Sequence, residues 1–290
     1  MRLLNTPENI VELTRSYTGE RFADGRPKVS DDILERMKLV TTEEAWRVCI
    51  QNGYNWQFEG NWHNLHPDRV LVGRAVTTMC VPLRPDFDSL VEEAGQREGF
   101  IGAGKQNSWV IDTLVDGDVL VVDLFGKIKW GTFVGDNLST AIKAKGRRGL
   151  VVDGGIRDTQ RILSIPDFNV FCRGVDPTPR REISLTGINI PIRIGQATVL
   201  PGDVVLGTYT GVIFVPAHLA EQVVESSESV RERDAWGQMR IREGVYTPGQ
   251  IDGKWSPEIE SDYDDWSSRF GRKAPKAPDA VTGGSTLPTE

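Results

Sequence analysis

The sequence predicts an α/β sandwich, and three observations carry that prediction. Between about residues 70 and 216, eight short β-rich runs are separated by Gly, Pro and Asp turns: VLVGRAVT, DVLVVDL, GLVVD, FNVFCR, INIPIRI, ATVL, DVVLG and GVIFVP. One helix stands among them, from Asp136 to Lys145. Leu138, Ala141, Ile142 and Lys145 recur at helical spacing there, and Gly146 follows as the expected C-cap. A second helix is expected from Ala217 to about Arg233. Strands and helices that mix without strict alternation favour a layered sandwich over a regular doubly wound sheet.

The flanks read differently. Residues 1–69 form a helical N-terminal layer: Ser30 is placed as an N-cap ahead of DDILERM, and Thr42 precedes EEAWRVCI with glutamates in the first turn. The stretch NGYNWQFEGNWHNLHPD holds Tyr54, Trp56, Phe58 and Trp62 without periodicity and is read as a loop. The central unit spans residues 70–233 and a C-terminal extension spans 234–290. In that extension Trp236, Trp255, Tyr263 and Trp266 are expected to dock onto a neighbouring surface. The end, RKAPKAPDAVTGGSTLPTE, has the composition of a disordered tail.

The chain has 290 residues and a formal net charge of −7. That length can bury a core without disulfides or structural metals. The acidic balance argues against nucleic acid as the partner, because neutralising phosphates needs a basic face. A small anion remains possible, since a few local cations can bind one. Cys49, Cys80 and Cys172 contain no CxxC pair and fit a reducing compartment. No apolar signal region and no run of 18 apolar residues occurs, so no membrane partner and a cytoplasmic location are expected.

Some motifs mislead. GFIGAGKQ, residues 99–106, nearly matches a phosphate loop, but Gln106 stands where a Mg²⁺-binding hydroxyl is needed, and no strand precedes it. His63 and His66 lie three apart without an acidic third ligand beside them. His218 follows Pro216 at a helix start. GxSxG, a Cys–His arrangement and GxGxxG are all missing, which disfavours serine hydrolases and simple dinucleotide enzymes.

The segment that carries chemistry is GTFVGDNLSTAIKAKGRRGLVVDGGIRD, residues 131–158. Gly135-Asp136-Asn137 opens a helix, and a helix N-terminus presents unpaired N–H groups and partial positive charge to a carboxylate. The following strand ends at Gly154-Gly155, after which Arg157 and Asp158 set a cation beside an anion. Arg157 has the planar fork that matches a carboxylate. Asp158 offers a hard oxygen ligand, and Mg²⁺ often takes only one or two protein carboxylates, with water and substrate filling its shell. The same residues also suit an ordinary Arg–Asp turn with a capped helix.

A resemblance sharpens the choice. LVGRAVT, GDVLVVD, the GDNL helix start, GLVVDGGIRDT, PTPRR, IPIRIGQATVLPGDVVLG and GVIFVPA follow the order and spacing of the RraA-like family over about residues 70–225. That family holds 4-hydroxy-4-methyl-2-oxoglutarate/4-carboxy-4-hydroxy-2-oxoadipate aldolases, oxaloacetate decarboxylases and a non-catalytic regulator of ribonuclease E. The resemblance implies an αββα sandwich like the swivelling phosphohistidine domains, assembled as a homotrimer or homohexamer with sites between subunits. It implies that Arg157 binds a pyruvyl carboxylate, that Asp158 binds Mg²⁺ or Mn²⁺ directly or through water, and that Asp136 holds metal-bound water. Backbone amides near Gly135, Asn137 and Leu138 would complete the carboxylate cradle. The chain departs from the family at Gly207-Thr208-Tyr209-Thr210-Gly211, where an acidic turn is common, and in its long additions at both ends.

The resulting expectation is a metal-dependent class II lyase that cleaves a 4-hydroxy-2-oxo acid to pyruvate and a carbonyl product, with oxaloacetate decarboxylation drawing on the same chemistry. A Schiff-base aldolase through Lys127, Lys129, Lys143 or Lys145 is disfavoured by their polar settings. The rivals are a regulatory binding protein that acts on a ribonuclease or another enzyme, and a sugar-acid platform built on Trp56, Trp62 and Trp109.

Overall fold

The computed structural model describes residues 1–270, so the expected disordered tail lies outside the described residues. Two compact units divide the chain, Met1–Val224 and a second beginning at Glu225.

The first unit opens with helices α1 (Pro7–Leu13), α2 (Asp31–Met37) and α3 (Thr42–Gln51). Ser30 caps α2, its Oγ accepting from the Ile33 amide at 3.3 Å. The cap of α3 is Thr41, one residue earlier than expected. A capping box needs Glu three places after the cap. Glu44 meets that register for Thr41, accepting from its amide at 2.8 Å and donating its own amide back at 3.2 Å.

The aromatic stretch read as a loop contains two short strands, β1 (Phe58–Glu59) and β2 (His63–Asn64). There follow β3 (Leu71–Pro82), α4 (Pro85–Arg97), α5 (Gln106–Asp112), β4 (Asp118–Asp123), α6 (Asp136–Gly146), β5 (Gly149–Ile156), α7 (Thr159–Ile162) and β6 (Asn169–Val175). Then come β7 (Ile183–Ile188), β8 (Ile192–Ile194), β9 (Ala197–Val199), β10 (Val204–Gly207), β11 (Val212–Val215) and α8 (Ala220–Arg242). The left-handed cap expected at Gly146 falls at Arg147, φ 62°, because α6 runs one residue further. The last long helix starts with a 3-10 turn, Ala217–Leu219, and outruns its expected end at Arg233.

Strands β3 to β6 are parallel neighbours, and β10, β11, β1, β7 and β2 pair antiparallel. The strand order is β1-β11-β10-β3-β4-β5-β6-β2, with β7 also on β3. Its two ends, β1 and β2, are separated in the chain by residues 60–62 alone. Four peptide steps reach at most about 14 Å, so the sheet must curl until its edges nearly meet. Arg173 clasps this seam: it donates to Glu59 Oε1 at 2.9 Å, Asp153 Oδ1 at 2.6 Å and Gly60 O at 2.8 Å, and lies 3.7 Å over the Trp62 ring.

Curling produces the αββα layering. Side chains alternate along each strand. Leu71, Ala75, Val119, Val121, Val151, Phe171, Val205, Val212 and Phe214 fill the inside with Ile192, Ile194, Ala197 and Val199 of the β8–β9 hairpin. On the outside, Val76, Leu120, Val122, Leu150 and Val152 share a core with residues of α4, α5 and α6. Val72, Val204, Leu206, Ile213 and Val215 share another with α2, α3 and the start of α8. The N-terminal helices are thus one wall of the first unit.

The second unit comprises the rest of α8 with α9 (Pro248–Ile251) and α10 (Pro257–Phe270). Its aromatics pack on one another. Trp236 is fully buried with Trp255, Tyr263 and Tyr246 at ring distances of 4.9, 5.4 and 6.0 Å. Arg233 lies 3.8 Å over Trp255 while forking onto Glu260.

Candidate active site

The end of β5 organises the site. The Phe133 amide donates to Gly155 O at 2.9 Å and the Arg157 amide to Val134 O at 3.0 Å. Residues 133–134 therefore run beside the strand end and deliver Gly135, the N-cap of α6, next to Arg157. Gly154 and Gly155 are required because residues 124–128 cross over them. A Cβ at either would approach the Lys127 or Ile128 carbonyl oxygen to 2.8 Å.

Gly135 touches both proposed site residues. A Cβ there would run into Asp158 Oδ2 and approach Arg157 Nε to 3.1 Å. Arg157 Nη1 and Asp158 Oδ2 are 3.4 Å apart, each about one-third exposed. Asp158 adopts the left-handed conformation, φ 56°, which Asp tolerates better than most residues. Its backbone carbonyl starts α7, but its carboxylate makes no capping hydrogen bond. The ordinary-cap reading of Asp158 does not describe this side chain.

Asp136 is otherwise engaged. Its Oδ2 accepts from Arg161 Nη1 at 3.0 Å and its Oδ1 from the Asn137 amide at 2.9 Å. The hydrogen bond from Arg161 holds its carboxyl below the usual range. Arg161 also feels the charge of Asp158.

A cleft of roughly 310 Å³ opens here, lined by Gly135, Asn137, Leu138 and Arg157 together with Lys105, Asn107, Thr132, Phe133 and Arg180. Neither Asp136 nor Asp158 lines it; Asp158 lies against two residues that do. Among the described residues the wall carries three cations, Lys105, Arg157 and Arg180, and no acidic side chain, so its charge is complementary to an anion.

Lys105, Asn107 and Arg180 were missed in the sequence. The Gly-rich stretch discounted as a phosphate loop is part of the cleft wall, through Gly104, Lys105, Asn107 and Ser108. Arg180 belongs to the PTPRR segment, which entered the resemblance without a role for either arginine. Its guanidinium donates to Gly104 O at 3.1 Å, Gln106 Oε1 at 2.5 Å and Ile183 O at 2.6 Å. Burial pulls its pKa down.

The donor set fits a hard cation in one way only. Among the described residues no group of three or more His, Cys, Asp or Glu could enclose a metal, which disfavours a zinc-type cage and leaves His63 and His66 without partners for that role. A partly exposed carboxylate free of capping duty, Asp158, fits Mg²⁺ or Mn²⁺ held by one protein ligand with water and substrate. Of the lysines weighed for a Schiff base, Lys143 donates to Arg147 O and Asp167 O at the far end of α6, and Lys145 pairs with Asp112. Of the tryptophans weighed as a platform, Trp109 is buried and stacked on Phe100, Trp62 carries Arg173, and Trp56 is 63% exposed.

The chain is α/β with a curled sheet, and a cleft with cationic lining lies where one strand meets one helix N-terminus. The chain belongs to the RraA-like aldolase/RraA family, which it matches over residues 28–214. A Halalkalibacterium halodurans protein provisionally named a 4-hydroxy-4-methyl-2-oxoglutarate aldolase is 31% identical over 129 residues, 44% of this chain and 60% of that one. The Thermus thermophilus 4-hydroxy-4-methyl-2-oxoglutarate aldolase is 28% identical over 100 residues, 34% of this chain and 60% of that one. The chain thus spans about 60% of the length of these curated relatives. Among solved structures, Streptomyces coelicolor RraAS2, an unusual member of the RNase ES inhibitor RraA protein family, superposes with a TM-score of 0.62 at 25% identity, covering 74% of this chain and 98% of that one. No helix among the described residues is long and apolar enough to cross a membrane.

Proposed function

We propose that this protein is a divalent-metal-dependent lyase that cleaves a 4-hydroxy-2-oxo acid to pyruvate and a carbonyl product. The observation that carries the reading is the junction of Gly135, Arg157 and Asp158 at a cleft whose charged lining, among the described residues, is all cationic.

Arg157 receives the carboxylate of the pyruvyl half through its planar fork. The first turn of α6 adds partial positive charge at the same place. Arg180 lines the same cleft and supplies a second guanidinium, which favours substrates with a second carboxylate. Gly135 leaves room for the substrate and for Asp158 together. Asp158 would hold Mg²⁺ or Mn²⁺, with Asp136 nearby as a hydrogen-bond acceptor for its water. The metal, when bound, supplies Lewis-acid stabilisation of negative charge at the 2-oxo oxygen. The same half-site suits oxaloacetate decarboxylation, which also leaves that charge on a pyruvyl unit. A trimer or hexamer is part of this reading.

The likeness to RraAS2 favours a second reading, a regulatory protein that binds a ribonuclease and needs no metal. Pyruvate release from a panel of 4-hydroxy-2-oxo acids and oxaloacetate, with Mg²⁺, with Mn²⁺ and with chelator, separates the two. Calorimetric Mn²⁺ binding to wild type and Asp158→Asn runs beside it. Metal-dependent release that Asp158→Asn loses together with metal affinity supports the lyase. No release from any substrate, with equal metal affinity in both proteins, leaves the regulator.

A further inference from the structure

We propose a second anion site at the opposite end of the sheet, which takes the phosphate group of a small molecule. The site is a cavity of roughly 510 Å³ where β3, β5 and β6 begin, at Leu71, Gly149 and Asn169. Arg157 follows the other end of β5, eight residues on. At about 3.3 Å per residue the two sites stand some 25 Å apart.

The cavity is lined by Lys38, Arg69, Lys143, Arg147 and Arg148, with Asp167 as the one acidic lining residue among those described. Such crowding is unfavourable for like charges, and it occurs in a chain of net charge −7. Part of it is answered internally. Glu35 pairs with Lys38 at 2.5 Å and Arg148 at 3.1 Å, and Asp116 lies 3.7 Å from Arg147. Lys143 donates to the Arg147 and Asp167 carbonyls, which suits a cation at a helix C-terminus. Five cations still face three carboxylates.

Arg69 and Arg148 carry the excess from different strands, one preceding β3 and one preceding β5. Arg69 Nη1 and Arg148 Nε are buried and make no hydrogen bond among the described residues, so each guanidinium meets a ligand in the cavity through its other nitrogens. A carboxylate matches the planar fork of a single arginine. A phosphate has acceptor oxygens pointing in several directions and suits donors supplied by several separate lining side chains, with Lys38 adding a point charge. The phosphate can be free or carried on a small organic molecule. This inference does not depend on the lyase reading.

The test is calorimetric titration of the full chain with inorganic phosphate, ribose 5-phosphate and malonate, each at low and high salt. Saturable phosphate-group binding, weakened by salt, is expected. It should fall at least about tenfold in Arg69→Gln and in Arg148→Gln, a loss of about 1.4 kcal/mol, and should persist in Arg180→Gln. Tighter binding of ribose 5-phosphate assigns an organic phosphate, and equal binding assigns the free ion. Lys38→Gln, at a half-exposed position, gives a second reading, with a smaller loss expected even if an arginine variant fails to fold. Binding lost in Arg180→Gln but kept in Arg69→Gln would place the anion in the catalytic cleft and overturn the proposal. Malonate binding as tightly as phosphate, or no saturable binding in the millimolar range, would overturn it as well.

Discussion

Gln106 Oε1 accepts from Arg180 Nη2 at 2.5 Å and from the Leu185 amide at 2.9 Å, while its Nε2 donates to Asp88 at 2.9 Å and Glu92 at 2.7 Å. The residue that spoils the phosphate-loop match is thus a buried hub that positions a cleft cation. Gln106→Leu keeps the volume and deletes all four bonds. The variant should lose about 1–3 kcal/mol of stability, because buried partners are left unsatisfied. KM for a dicarboxylic substrate should rise more than kcat falls, since Arg180 is loosened and Arg157 is untouched. Urea denaturation and steady-state kinetics check the two halves, and an unchanged KM would show that Arg180 does not meet substrate.

Gly135→Ala tests the junction sterically. The backbone at Gly135, φ −122°, is one that alanine adopts without strain, so any effect comes from the added methyl. That methyl would run into Asp158 Oδ2 and press on Arg157. Displacement of site groups by even about 1 Å can cost 10²-fold in rate. A loss of that order is expected with Tm nearly unchanged. Wild-type turnover would mean that the two charged residues need not hold their present positions.

Arg157→Lys tests the fork. An ammonium keeps the charge but cannot make two parallel hydrogen bonds to a carboxylate. Arg157 is more than one-third exposed, so the loss should lie toward the lower part of the roughly 2–5 kcal/mol range for truncating a buried charge pair. That corresponds to about 30-fold or more in kcat/KM, measured by pyruvate release.

What the sequence revealed follows from the range of the interactions involved. GDNL and GGIRD could be read because their glycines, their helix start and their adjacent charges are local features. Each strand run could be read because its apolar residues are contiguous. The curled sheet could not, because β1 and β2 are two residues each and owe their pairing to strands far along the chain. Arg180 and Gln106 escaped for the same reason: their bonds cross 74 residues. Thr41 could have been preferred to Thr42 by counting three places to Glu44. The aromatic scatter after residue 234 gave no period, since Trp236 of α8, Trp255 of the connection between α9 and α10, and Tyr263 of α10 meet from separate segments rather than along one helix.

Asp203 makes a prediction about pH. Its side chain is buried, with Oδ2 accepting from the Leu200 amide at 2.8 Å. Burial pushes its carboxyl up to about 7, against the opposing pull of the Leu200 and Ala217 amides. In the unfolded chain an Asp titrates near 4. Between about pH 4 and pH 7 the folded state therefore holds a proton that the unfolded state has released. Stability must fall as pH rises through that window, and above it both states are ionised and the loss is complete. A shift of some three units corresponds to roughly 4 kcal/mol. His218, whose pKa burial pulls below its ordinary value, acts in the opposite sense: stability rises with pH as the unfolded imidazole, near 6.5, gives up its proton. Asp203→Asn separates them, because the amide oxygen can still accept from Leu200 and the group no longer titrates. Urea denaturation at pH 5 and pH 8 should show wild type weaker at pH 8. The variant should lose the part of that decline that Asp203 contributes, while the raised carboxyls of Asp118 and Asp123 still act in the same sense and His218 in the opposite one. The same decline in wild type and variant would move its origin away from Asp203.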